Sequence, residues 1–122
     1  MPFLGGATDP AALLCKHLAR VVHVHCKDVR PQVIASARND GWRFLNGVIN
    51  STFTVPGDGV IDFDAVLTTL RDGGYEGWLV VEAEQDPAVA PSYQHARKGY
   101  QTLKAIVDRL NAVTAQATQK AA

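Results

Sequence analysis

Two short β-branched runs constrain this chain most: Val21-Val22-His23-Val24-His25 and Trp78-Leu79-Val80-Val81-Glu82. Each reads as a strand by residue type and length. The stretch between them reads mostly as helix, and strands that alternate with helices pair in parallel through right-handed crossovers. Strands this apolar need cover on both faces, and two of them make too small a sheet with open edges. The chain is therefore expected to be part of a larger α/β architecture.

The helices have legible starts and stops. Thr8-Asp9-Pro10 opens one, with Asp9 as the cap and Pro10 in the first turn. It runs to about Leu18, with Leu13, Leu14 and Leu18 as an apolar stripe. Lys27-Asp28-Val29-Arg30-Pro31 ends the first strand, and residues 32–37 and 42–49 each read as a short helix. Val55-Pro56-Gly57-Asp58-Gly59 is a loop by composition. A second clear helix begins at about Asp62, with Phe63, Val66, Leu67 and Leu70 on one face, and Gly73-Gly74 stops it. After Asp86-Pro87 a last helix begins near Ser92, with Tyr100, Leu103, Ile106, Val107 and Leu110 at helical spacing. Residues 111–122, rich in Ala, Gln and Thr, are expected to fray. A full (β/α)₈ barrel needs about 250 residues, so this 122-residue chain would supply about two β/α units, over residues 1–110.

Composition narrows the function. The formal net charge is zero, which argues against a broad footprint for nucleic acid or an anionic membrane. No apolar run has transmembrane length, and the first residues lack the pattern of a signal peptide. Cys15 and Cys26 are too few for a disulfide framework, so a reduced, cytoplasmic setting is expected.

The chemistry gathers where the strands end. The first ends in His25-Cys26-Lys27-Asp28-Val29-Arg30 and the second in Glu82-Ala83-Glu84-Gln85-Asp86. Active sites of parallel α/β barrels lie at the C-terminal ends of their strands. A His and a Glu at one mouth suit Mn²⁺, Co²⁺, Fe²⁺ or Zn²⁺, but two ligands do not complete a catalytic site. Each group also has a plainer reading. A strand His is often a core residue, and a strand-end Glu is often an ion-pair partner. Lys27 and Arg30 can simply solvate a rim, Gly57-Asp58-Gly59 is first of all a turn, and Cys26 is a small buried residue rather than a nucleophile. His17 and His95 fit a surface, whereas Trp42, Phe44, Phe53 and Trp78 fit packing.

Four segments resemble, in order, the C-terminal part of the myo-inosose-2 dehydratases, within the xylose-isomerase-like TIM-barrel superfamily. They are His23-Val24-His25-Cys26-Lys27-Asp28-Val29-Arg30-Pro31, Val55-Pro56-Gly57-Asp58-Gly59-Val60-Ile61-Asp62-Phe63, residues 73–87, and Ala96-Arg97-Lys98-Gly99-Tyr100. The resemblance implies the last two strands of a TIM barrel with their helices. It implies dehydration of 2-keto-myo-inositol (scyllo-inosose) to a trihydroxycyclohexane dione in inositol catabolism, with one divalent metal, Mn²⁺ or Co²⁺. His25 and Glu82 match metal-ligand positions. Glu84 and Lys27 are the candidate catalytic groups, and Lys27, Arg30 and Asp86 the candidate substrate contacts. The family's strand-six Asp-Thr-Gly-His segment would fall where this chain reads Met1-Pro2-Phe3-Leu4, so further ligands are expected from outside these residues. The expected partner is a small polyol ketone, and a homo-oligomer is compatible with it. Three competing readings share these features: a sugar isomerase or epimerase, a zinc-dependent AP endonuclease of the endonuclease IV type, and a non-catalytic barrel fragment. The endonuclease needs more histidines after His25, and none occurs before His95.

Overall fold

A computed structural model of the chain describes residues 8–41 and 43–120. Met1-Pro2-Phe3-Leu4 and Trp42 lie outside the described residues. In chain order the elements are α1 (Pro10–His17), a 3₁₀ turn (Leu18–Arg20), β1 (Val24–Cys26), β2 (Asp28–Val29), α2 (Pro31–Asn39), α3 (Phe44–Ile49), β3 (Phe53–Thr54), α4 (Phe63–Asp72), β4 (Leu79–Val81) and α5 (Ser92–Lys120).

The two expected strands pair in parallel, with Val24 opposite Leu79, His25 opposite Val80 and Cys26 opposite Val81. Period-two alternation then sorts the side chains. Val24, Cys26, Leu79 and Val81 join the core with Phe63, Val66, Leu67 and Leu70 of α4 and Leu103, Ile106 and Leu110 of α5. His23 and His25 fall on the other face and are exposed. The helices cover one face of the sheet, and the two parallel strands form an open pair rather than a closed barrel.

Local chemistry explains the helix ends. Asp9 Oδ1 accepts from the Ala11 N–H at 2.9 Å and Asp62 Oδ1 from the Ala65 N–H at 3.0 Å. Gly74, at φ 70°, takes the left-handed conformation just past α4. Gly99 lets α5 approach closely, because a Cβ there would press on Val81, Val55 and Pro56.

Two expectations are corrected, and one sheet is new. The stretch from residue 111 to 120 is helical, as the continuation of α5, rather than frayed. Alanine and glutamine sustain helix by intrinsic propensity even without an apolar stripe. Trp78 is 77% exposed rather than packed, because it lies just before β4 on a sheet with one open face. A second sheet, β2 antiparallel to β3, was not anticipated; it pairs Asp28 with Thr54 and Val29 with Phe53.

Candidate active site

The register of β1 and β4 places the strand-end groups. The Glu82 N–H donates to the Cys26 carbonyl at 3.1 Å and so extends the ladder past β4. Glu82 therefore lies beside the segment of chain that carries His25 and Lys27. Its carboxylate takes one group on each oxygen: His25 Nδ1 lies 2.5 Å from Oε2, and Lys27 Nζ lies 2.8 Å from Oε1. Lys27 Nζ also donates to Glu84 Oε2 at 3.2 Å. The same ammonium sits over the Phe53 ring, 5.1 Å from its centroid. Four of the six sequence-predicted residues, His25, Lys27, Glu82 and Glu84, thus form one cluster, half-open to solvent.

Its charges are mutually set. The Lys27 ammonium, then the His25 imidazole, hold the Glu82 carboxyl below its ordinary range. Burial works against the charge on Lys27, but its hydrogen bonds to Glu82 and Glu84 outweigh that and push its pKa up. The raised Lys27 and lowered Glu82 pKa values keep that pair ionised at neutral pH.

The other two predicted residues bond elsewhere. Arg30 donates to the Ser51 carbonyl at 2.7 Å, to Thr54 Oγ1 at 3.0 Å and to Asp58 Oδ2 at 2.6 Å. Asp58 also accepts from Thr54 Oγ1 at 2.7 Å and pairs with Lys98. Asp86 Oδ1 accepts from the Ala88 N–H at 2.9 Å, in the turn that precedes α5. Asp28, flanked by these groups in sequence, is 1% exposed. It accepts from the N–H groups of Val29, Gly57, Gly59 and Ile61 at 2.8, 3.3, 3.1 and 3.0 Å. Cys26 is buried, and burial pushes its thiol up to about 11, which fits packing rather than nucleophilic attack. His17 is exposed, and His95 is half-buried with Nδ1 3.1 Å from the Pro91 carbonyl.

Sequence reasoning missed Phe53, Thr54 and Gln85 as neighbours of the site. Gln85 Nε2 donates to Thr54 Oγ1 at 3.2 Å. Their approach depends on β3, an element too short to leave a periodic signal.

One imidazole and one carboxylate at adjacent strand ends match the donor chemistry of a borderline divalent metal. Among the described residues no group of three or more His, Cys, Asp or Glu side chains is close enough to hold one. The pair therefore fits such an ion as part of a ligand set.

The sequence profile described as xylose isomerase-like TIM barrel matches residues 3–107. The chain belongs to that family. Within it, the chain is similar to the "Inosose dehydratase" of Klebsiella pneumoniae, 58% identical over 77% of this chain and 31% of the relative. An "Inosose dehydratase" of Erwinia tasmaniensis is 60% identical over 71% of this chain and 29% of its own. The "Rhizopine catabolism protein MocC" of Rhizobium meliloti is 50% identical over 83% and 30%. The chain thus spans about a third of the length of these relatives. Among the described residues no helix is long and apolar enough to cross a membrane.

Proposed function

We propose that the chain supplies the last two β/α units of a barrel that removes water from scyllo-inosose, a hydro-lyase step in inositol catabolism. The observation that carries this is the His25–Glu82–Lys27–Glu84 cluster on adjacent parallel strand ends. The names of the similar proteins favour a dehydratase among the activities such a cluster allows.

His25 and Glu82 would hold a divalent metal, Mn²⁺ or Co²⁺, with further ligands from the rest of the barrel. Such an ion supplies Lewis acidity for a ketone and its neighbouring hydroxyl. The remaining work falls to this chain's own groups. The Lys27 ammonium binds the substrate oxygen on which negative charge develops, and its raised pKa keeps it charged for that role. Glu84 takes the proton from the carbon beside the ketone and returns it to the departing hydroxyl, which leaves as water. Arg30 and Asp86 join the substrate contacts only if they exchange the bonds they now make within the fold.

The test uses the intact protein that carries this segment. Divalent ions are removed with a chelator, scyllo-inosose is added, and the product mass is followed as Mn²⁺ or Co²⁺ is restored. Metal-dependent loss of one water is the expected result. An isomerised product of unchanged mass would replace this reading with the isomerase, and full turnover after chelation would remove the metal from it.

A further inference from the structure

We infer that Thr54 and Gln85 are positioning residues: their hydrogen bond sets where Glu84 stands against Lys27. The inference rests on the dehydratase reading for its activity measurement and on geometry for its argument.

A hydroxyl has one proton to donate and two lone pairs to accept with. Thr54 Oγ1 uses all three. It accepts from Arg30 Nη2 at 3.0 Å and from Gln85 Nε2 at 3.2 Å, and it donates to Asp58 Oδ2 at 2.7 Å. Thr54 is fully buried, so this arrangement has no competition from solvent. Arg30 and Asp58 are themselves tied to the Ser51 carbonyl and to Lys98 of α5. The hydroxyl is therefore fixed in space before Gln85 reaches it.

Gln85 is the flexible partner. Regular ladder bonding of the second strand ends at the Glu82 N–H, and the next backbone anchor is the turn around Asp86, whose carbonyl accepts from Val89 and Ala90. Glu84 lies between the two on irregular chain. Its neighbour Gln85 binds Thr54, while its own carboxylate binds Lys27. Phe53, the residue before Thr54, lies beneath the same ammonium. β3 thus contacts Lys27 through the Phe53 ring and the residue next to Glu84 through the Thr54 hydroxyl. Displacement of a reacting group by about 1 Å can cost about 100-fold in rate.

The experiment compares Gln85→Met, Thr54→Val, Thr54→Ser and the Gln85→Met/Thr54→Val pair in the intact protein with metal bound. Gln85→Met leaves the Arg30 and Asp58 bonds in place, so it tests the link even if Thr54→Val fails to fold. The expected result is a kcat about 10- to 100-fold lower in Gln85→Met and Thr54→Val with KM nearly unchanged. The double variant should be no worse than the poorer single, and Thr54→Ser should retain most activity. Wild-type kcat in Gln85→Met would overturn the inference. If the wild-type protein does not dehydrate scyllo-inosose, the functional reading falls and positioning is read without turnover, from acetylation of Lys27 in metal-free protein followed by mass spectrometry. Gln85→Met should then speed labelling about 2- to 5-fold, the worth of a half-exposed ion pair. Unchanged labelling would overturn the inference on that side too.

Discussion

Asp28 and Glu82 are both carboxylates beside strand ends, yet their surroundings are opposite. Asp28 is 1% exposed and, among the described residues, accepts from backbone N–H groups, three of them about thirty residues away in the loop that follows β3. Glu82 has a third of its side chain in solvent and is held by the side chains of His25 and Lys27. A buried carboxylate satisfied by fixed amides is part of the fold, because removing it leaves several amides without partners at once. A carboxylate shared by an imidazole and an amine at an open strand end can exchange those partners for an incoming group. Residues of one chemical type thus meet buried backbone amides at Asp28 and half-exposed charged side chains at Glu82.

The contrast can be broken at its largest effect first. Glu82→Ala in the intact protein is expected to lower metal-dependent turnover by about 1000-fold, since Lewis-acid stabilisation is worth several kcal/mol, with little change in thermal unfolding. His25→Ala should behave alike, and normal rates in either variant would remove the ligand assignment. Asp28→Ala should do the reverse at the level of the fold, losing about 3 kcal/mol or more in urea unfolding. A loss under about 1 kcal/mol would mean that the loop finds other partners.

A smaller effect tests the ion cluster between these regions. Lys98, Thr54 and Arg30 bind the Asp58 carboxylate and, against the cost of its partial burial, hold it well below the ordinary carboxylate range. A depressed folded-state pKa adds stability that is fully present above the unfolded value of about 3.9. It is lost as pH falls from there through the folded value. Asp58→Asn should therefore cost about 2 kcal/mol at neutral pH, and its gap to wild type should narrow below about pH 4. Urea midpoints at two pH values check this; a gap that widens in acid would reverse the sign. The smallest effect is expected for Asp86→Ala, about 1 kcal/mol or less as for a lost cap, with KM unchanged if Asp86 serves the turn through its bond from the Ala88 N–H. A several-fold rise in KM would move Asp86 from the turn into the substrate site.

Much of this was legible in one dimension. The β-branched runs at residues 21–25 and 78–82 became a parallel pair, although each strand is shorter than its run, and Asp9 and Asp62 cap the helices expected to follow them. The matching motifs set His25 and Glu82 at adjacent strand ends, and a 2.5 Å contact brings their side chains together. In the structure, strand alternation then puts both on the face opposite the core.

The rest needed three dimensions. β2 and β3 are two residues each, and a periodic pattern cannot be read from two residues. Asp28 looked like one polar residue in a strand-ending segment, because the amides it binds belong to Gly57, Gly59 and Ile61. The Thr54–Gln85 bond carried no sequence signal, since a hydroxyl and an amide acquire meaning only from what they touch. α5 outlasted its apolar stripe because propensity carried the helix on past the core. Sequence by itself determined what is periodic or local: which runs are strands, where helices are capped, and which charged residues stand at strand ends. Tertiary structure decided which of those charges meet, because the partner of a polar group is set by distance in space, and chain separation says little about it.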